Sequence, residues 1–268
     1  MGSFFYKKRN VILFFIVGLI GYALAISTSI LVDGQEWFFR MYPDIKVYYN
    51  NNVVTGWANL SFFTYQTLIL FSTWCILWFV AFFFKLHKLQ NFLKSEIVVY
   101  FISANYIITC VVYTVFEVVK SPVNFGLYNV HEWYAWFVLF TNLLIHDGMF
   151  VFALIFFIKI DTVKSRLLLH ILVPTVYLVL YCVIVKIIGV YAYRIEWYPY
   201  GFFHPELVKE MLGLQGSNAN GYLLMAAAFV ALLVIYIGTY ICVYKLKRKQ
   251  QRAWEASTIR LQASRYVN

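Results

Sequence analysis

The sequence predicts an all-α, polytopic membrane protein with six transmembrane helices and both termini in the cytoplasm. Hydrophobic residues make up 62% of the 268 residues and charged residues only 13%, a balance that is foreign to soluble globular domains. Six unbroken apolar stretches each supply the about 20 residues needed to cross a bilayer. Barrel strands would instead alternate apolar and polar residues. The predicted helices cover residues 11–31, 60–84, 97–119, 133–158, 167–190 and 222–244.

The first apolar stretch is predicted as a retained helix rather than a cleaved signal peptide. It follows the basic run Lys7-Lys8-Arg9, but it is longer than the about 7–15 apolar residues of a signal peptide, and no small-residue cleavage site closes it. The loops between the stretches are too short for a core of their own. We therefore expect a transmembrane domain at 1–244 and a basic cytoplasmic tail at 245–268.

The distribution of lysine and arginine predicts the orientation. Of the 22 such residues, 16 lie in the N-terminal segment, in the connections after the second and fourth predicted helices, and in the tail. Five lie on the other side, and Lys186 lies within the fifth predicted helix. The positive-inside rule then places both termini in the cytoplasm. The net charge of +10 reflects this topology, so we expect anionic lipid head groups as partners of the tail, and no nucleic acid.

The four cysteines predict packing rather than chemistry. Cys75, Cys110, Cys182 and Cys242 all lie in or at the end of apolar stretches, and their spacing fits neither a disulfide framework nor a zinc site. We interpret these cysteines as small apolar side chains that pack within the helices. We expect no cofactor and no metal.

Two long outer loops, at 33–58 and 191–220, are rich in aromatic residues. The second contains Trp197, Tyr198 and Tyr200 around a proline, which forbids a continuous helix. Aromatic residues beside helix ends are typical of the membrane interface. We expect this loop to cover the outer mouth of the bundle.

His146 is the ionisable residue that lies deepest in a predicted helix. Ionisable residues at membrane depth are candidates for function by default, and a neutral imidazole can act as a general base. Asn142 lies one turn away on the same face of the helix, where it can orient the imidazole or donate to an oxyanion. Asp147 lies about 100° around the helix, so it need not contact the imidazole.

Three other ionisable residues have simpler readings. Glu117 and Lys186 lie near the outer ends of their predicted helices, where a lysine can extend to the interface or the two can pair. His170 lies about one turn from the cytoplasmic end of the fifth predicted helix, so the interface is within its reach. The sequence assigns none of the three a role in chemistry.

Three motifs occur in order along the chain: Phe63-Thr64-Tyr65-Gln66-Thr67, Asn142-Leu143-Leu144-Ile145-His146 and the loop Trp197-Tyr198-Pro199-Tyr200-Gly201-Phe202-Phe203. Together they resemble the motifs of a bacterial family of six-helix membrane proteins. That family is similar to the androgen-induced and androgen-dependent multi-pass hydrolases, which cleave fatty acid esters of hydroxy fatty acids with an intramembrane threonine and histidine. The resemblance implies that Thr64 is the nucleophile and His146 the base.

The leading hypothesis is therefore an intramembrane hydrolase of lipid esters in a bacterial plasma membrane. Thr64 and His146 are its expected catalytic pair, with Asn142 as the orienting or oxyanion-binding residue. The alternative is a non-enzymatic binder or carrier of a lipid or small solute that uses the same polar cluster. The sequence leaves the acyl chain and the oligomeric state open.

Overall fold

A computed structural model describes residues 4–32, 63–113, 140–141, 143–164, 167–187 and 218–267. This part of the chain is almost entirely helical and contains no β-strand, which confirms the all-α prediction. A π-helical turn at Leu144–Gly148 leads directly into the fifth α-helix. The α-helices are α1 (Lys8–Val32), α2 (Phe63–Phe83), α3 (His87–Leu93), α4 (Glu96–Tyr113), α5 (Met149–Lys159), α6 (Leu167–Ile187) and α7 (Asn218–Val267).

Three helical segments are long and apolar enough to cross a membrane. They are Lys8–Ser27 in α1, Phe63–Phe83 in α2 and Phe229–Trp254 in α7. Two shorter apolar segments, Glu96–Val111 and Leu168–Ile184, coincide with the third and fifth predicted helices. The positions agree with the hydropathy pattern, which is the basis of the membrane assignment.

Several predicted features lie outside the described residues. These are the loop at 33–58, the loop at 191–220 with its expected covering of the outer mouth, and Glu117. Asn142 is likewise outside them. The side chain of Lys186 is not described, although the backbone of α6 includes this residue.

Helices α1 and α2 approach each other closely at two glycines. A Cβ atom on Gly18 would lie 2.9 Å from both Cys75 Cβ and the backbone oxygen of Ser72. A Cβ atom on Gly21 would lie directly against Ser72 Oγ. Small residues at a helix crossing allow such close packing inside membranes.

An aromatic core joins α1, α2 and α5 near the N-terminus. The rings of Trp74 and Trp78 stack with centroids 5.5 Å apart. The ring centroid of Phe156 in α5 lies 4.4 Å from that of Trp74. The ring centroid of Phe5, in the segment before α1, lies 5.7 Å from that of Trp74. Phe5 is only 3% exposed, and its carbonyl accepts a hydrogen bond from Trp78 Nε1 at 3.2 Å. The segment before α1 is thus part of the core.

The connection between α2 and α4 is ordered by α3, a helix that the hydropathy pattern did not indicate. Lys85 has a φ of 54°, a left-handed conformation that ends α2. Gln90 of α3 then donates to the carbonyl of Ala81 at 2.8 Å. Trp74 Nε1 donates to the carbonyl of Leu93 at 2.9 Å. These bonds fold α3 back against the end of α2.

At the same end of the bundle, two backbone hydrogen bonds join the connection before α4 to the connection after α5. The Glu96 amide donates to the Val163 carbonyl at 3.0 Å, and the Val163 amide donates to the Lys94 carbonyl at 2.9 Å. Two connections, before α4 and after α5, are thereby held side by side. These bonds pair backbone groups near the start of α4 and the end of α5 that would otherwise lack a hydrogen-bond partner.

Helix α7 continues without a break through the segment predicted as a tail. The side chain of Lys247 is buried and donates to the carbonyls of Phe157 and Ile158. Gln251 Nε2 donates to Thr162 Oγ1 at 2.5 Å. A cation at the carbonyl end of α5 also complements the helix dipole. The first turns of the basic segment are therefore a structural part of the bundle.

Candidate functional site

The polar face of α2 contains the threonine that the motif singles out. Thr64 is partly buried in the first turn of the helix, and Thr67 is fully buried one turn farther along. Residues three apart lie on the same side of a helix. The two hydroxyls therefore belong to one polar stripe that faces into the bundle at Thr67.

Thr109 contacts both Thr67 and His146 where α2, α4 and the π-helical turn meet. Thr109 Oγ1 donates to Thr67 Oγ1 at 3.5 Å, which is a long bond between hydroxyls. The imidazole of His146 hydrogen-bonds with the backbone of Thr109. Thr109 thus links the predicted base to a hydroxyl of α2. The linked hydroxyl belongs to Thr67, one turn deeper than Thr64.

His146 lies in the middle of the π-helical turn. The amide of Met149 donates to the carbonyl of Leu144, five residues earlier, instead of to the residue four earlier. Single π-helical turns within α-helices are rare and occur frequently at functional sites. The wider turn changes the direction in which the His146 side chain leaves the helix relative to a regular α-helix.

Two tyrosines connect further helices to this region. Tyr177 of α6 donates to Gln66 Oε1 at 3.0 Å. Tyr236 of α7 donates to Asn105 Oδ1 at 2.9 Å. Asn105 is 0% exposed and lies one turn from Thr109, and its Nδ2 has no hydrogen-bond partner among the described residues. A buried amide donor of this kind is costly unless an acceptor meets it.

The structure describes some of the site residues that the sequence predicts and leaves others outside the described part of the chain. The structure places His146 on the π-helical turn, with a hydrogen bond to the backbone of Thr109 in α4, and the facing of Thr64 and His146 stays a prediction. Asp147 is exposed, and its separation from the imidazole stays a prediction. Asn142 is outside the described residues, and its role stays a prediction as well.

A second polar cluster lies where α4, α6 and α7 meet at the other end of the bundle. Glu96, the first residue of α4, is fully buried. Its Oε1 lies 3.3 Å from Arg248 Nη2 of α7. Its Oε2 lies 3.5 Å from His170 Nε2 of α6. One carboxylate therefore joins three helices.

Tyrosines surround this second cluster. Tyr100 donates to Glu96 Oε1 at 3.4 Å, and the Tyr240 hydroxyl lies 2.9 Å from His170 Nδ1. The Arg248 guanidinium lies over the Tyr244 ring, 5.4 Å from its centroid. A cation over an aromatic face is favourable when it is desolvated.

Sequence reasoning missed this cluster because its members are far apart in the chain. His170 was assigned to the interface and Arg248 to the tail, and Glu96 precedes the third predicted helix. A carboxylate at a helix start is a local signal that needs no tertiary partner. Only the packing of α4, α6 and α7 brings the three charges together. In the described part of the chain, no three His, Cys, Asp or Glu side chains are grouped as metal ligands.

Comparison with protein-family models, with curated proteins and with solved structures gives no match. The resemblance to the six-helix family therefore depends on the three sequence motifs.

Proposed function

We propose that this chain is a six-span protein of a bacterial plasma membrane, with cytoplasmic termini, that hydrolyses lipid esters within the bilayer. The positions of the five described apolar helical segments support the membrane part of the proposal. The asymmetry of lysine and arginine supports the orientation. The motif resemblance supports the reaction class.

The observation that carries the chemistry is the position of His146. It lies on a π-helical turn and hydrogen-bonds with the backbone of Thr109, whose hydroxyl contacts Thr67. A threonine hydroxyl is a poor nucleophile unless a base takes its proton. In the proposal, His146 supplies that base, and Thr109 connects it to the threonine hydroxyl of α2.

In the proposed reaction, a threonine oxygen of α2 attacks the ester carbonyl carbon while its proton passes to His146. The carbonyl double bond re-forms, the bond to the alcohol oxygen breaks, and the alcohol leaves with the proton from His146. Water then attacks the acyl-threonine, gives its proton to His146, and releases the carboxylic acid and the free threonine. Asn142 orients the imidazole or stabilises the oxyanion, and the buried amide of Asn105 is a second oxyanion donor.

Two threonines are candidates for the nucleophile, for different reasons. The resemblance implies Thr64, which lies in the first turn of α2. The contacts favour Thr67, since this hydroxyl meets the Thr109 hydroxyl. The two lie on one face of α2, so a substrate carbonyl between α2 and His146 is accessible to one or the other according to its depth.

The test is hydrolysis of fluorogenic lipid esters by the full chain in nanodiscs, with Thr64→Ala, Thr67→Ala and His146→Ala variants. We expect His146→Ala and one of the threonine variants to lower kcat/KM by about 10³-fold or more, as removal of a member of a catalytic pair does. Covalent labelling by a lipophilic fluorophosphonate should be lost in the same threonine variant. Thr73→Ala is the matched control, because Thr73 donates back to the Ile69 carbonyl at 2.7 Å on the same helix.

Wild-type protein that neither turns over nor is labelled, although it is folded, would reject the hydrolase. Retained binding of a photoreactive lipid that His146→Ala weakens would then favour the binder or carrier.

We also propose that the basic segment of α7 binds anionic lipid head groups. Lys245, Lys249 and Arg252 are all exposed and lie on successive turns of α7, so that their charges share one side of the helix. Each such cation near an anionic surface contributes about 1 kcal/mol. Anionic lipid added to mixed micelles should raise the Tm of the wild-type protein more than that of a variant with all three residues changed to Gln. An equal rise in both would reject the proposal.

A further inference from the structure

We infer that Glu96, His170 and Arg248 form a proton-binding site in which protonation of His170 moves Glu96 from its pairing with Arg248 to a pairing with His170. The inference is independent of the hydrolase and depends on the geometry of the second polar cluster. The ligand of the site is a proton from the aqueous side at the end of the bundle where α4 and α6 begin.

The carboxylate of Glu96 lies between a guanidinium and an imidazole, and the Tyr100 hydroxyl also donates to its Oε1. It is 0% exposed, and a buried carboxylate needs a cation or hydrogen-bond donors. Its two oxygens point to different helices, with Arg248 Nη2 at 3.3 Å and His170 Nε2 at 3.5 Å. Neither distance is as short as a tight charge-assisted hydrogen bond, about 2.7–2.9 Å. The carboxylate can therefore tighten on one partner as it loosens on the other.

The position of the added proton follows from the hydrogen bond of His170 to Tyr240. With a neutral imidazole, Nε2–H faces Glu96 and Nδ1 accepts from the Tyr240 hydroxyl, 2.9 Å away. When Nδ1 takes up a proton, it becomes a donor, and the tyrosine hydroxyl turns to accept from it. No bond to the imidazole is lost, so the environment accommodates both charge states.

Burial decides which partner Glu96 keeps after protonation. Two cations then share one carboxylate, and the surplus charge is best placed where water can reach it. Arg248 is 27% exposed, whereas His170 is 4% exposed. The guanidinium can regain hydration if it moves away, but the imidazolium cannot. The Glu96–Arg248 pair therefore opens and the Glu96–His170 pair closes.

Among the described residues, the other titratable groups that face the imidazole include no second carboxylate. They come from α4 and α7, the helices packed against α6. The Tyr100 and Tyr244 rings have centroids 5.5 and 5.3 Å from the imidazole. With Glu96 on α4 and Tyr240 and Arg248 on α7, these complete the facing groups that the structure describes.

The exchange changes how α7 is held. In the neutral state α7 is tied to α4 through Arg248 and to α5 through Lys247. Protonation of His170 releases the first tie and leaves the second. The contact between α7 and α4 at Arg248 thus depends on pH, whereas the contacts of Lys247 and Gln251 with the end of α5 and the residue Thr162 do not.

Double-mutant cycles at two pH values test the exchange directly, because a cycle isolates one pairwise interaction. The full chain in detergent carries Glu96→Gln, Arg248→Gln and His170→Gln, singly and in the two pairs that include Glu96→Gln. Tm is followed by the intrinsic fluorescence of the buried tryptophans Trp74 and Trp78. From about pH 8 to about pH 4.5, an interval that extends well below the ordinary histidine range for this buried imidazole, the Glu96–Arg248 coupling in Tm should fall at least twofold. The Glu96–His170 coupling should rise over the same interval.

Couplings that stay the same at both pH values would overturn the inference. Lys88→Gln and His87→Gln remove an exposed cation and an exposed histidine, and they should leave both couplings unchanged. If Glu96→Gln does not fold, the comparison uses His170→Gln alone. This variant should lose part of the pH response of Tm that the wild type and His87→Gln share, and an undiminished response would equally overturn the inference.

Discussion

The crossing of α1 and α2 gives a stability prediction whose size follows from the packing. In Gly18→Ala the new Cβ would lie 2.9 Å from Cys75 Cβ and 2.9 Å from the Ser72 carbonyl oxygen. Carbon atoms pack best at about 3.5–4.0 Å, so the helices must separate by about 0.5–1 Å. Overpacking of this kind costs about 1–3 kcal/mol. It opposes the gain of about 1 kcal/mol from replacing glycine by alanine within a helix.

Gly238→Ala isolates the gain, because beyond its chain neighbours and the backbone of its own helix no atom lies within 4 Å of the Cβ position at Gly238. The difference between the Gly18 and Gly238 variants then measures the clash alone. At about 2–4 °C of Tm per kcal/mol, Gly18→Ala should melt about 2–12 °C below Gly238→Ala. Intrinsic fluorescence of the buried tryptophans Trp74 and Trp78 reports the transition in detergent.

Gly21→Ala separates side-chain clashes from backbone clashes. Its nearest neighbour is the Ser72 hydroxyl, which Ser72→Ala removes, so this second change should restore Tm in Gly21→Ala. Cys75→Ala keeps the Cβ atom and should not restore Tm in Gly18→Ala. Equal melting of the Gly18 and Gly238 variants would refute the described crossing.

Three further predictions concern single contacts. Lys247→Met should lower the free energy of unfolding, measured in thermal melts, by about 1–3 kcal/mol, because buried carbonyls lose their donor. Lys249→Met, at an exposed position, should change it by less than about 0.5 kcal/mol. Trp74→Phe, which removes the bond to the Leu93 carbonyl, should speed hydrogen exchange in the connection that contains α3, and unchanged exchange would count against that bond. A cysteine at exposed Lys88 should react with membrane-impermeant thiol reagents from the cytoplasmic side alone, and reaction from the outer side would reverse the orientation.

Hydropathy located the helices well because burial in lipid is a local property of each apolar run. The centres of α1, α2 and α6 lie within the predicted stretches, and α4 begins at Glu96, one residue before its predicted start. Helix α7 is different: it extends to Val267, since a lysine- and arginine-rich sequence without glycine or proline has good helix propensity in water as well. Hydropathy scales do not predict that continuation, because they identify only apolar segments.

The candidate site was only partly predictable from the sequence. His146 was identified because an ionisable residue at membrane depth is conspicuous in a single segment. Its bond to Thr109 and the contact of Thr109 with Thr67 depend on the relative heights of three segments and on the π-helical turn. A rise of 1.5 Å per residue cannot determine these heights without the tilts of the helices. The Glu96–Arg248 pair depends in the same way on tertiary packing.

The buried position of Phe5 sets an order of events during synthesis. Its ring contacts Trp74 and Trp78 of α2 and Phe156 of α5, so the first residues of the chain cannot complete their packing until α5 has left the ribosome. At translation rates of about 5–20 residues per second, this delay is on the order of ten seconds. During that interval the N-terminal aromatic residues are exposed to chaperones, to the insertion machinery and to lipid, and a bulky N-terminal fusion would act on the chain at this stage.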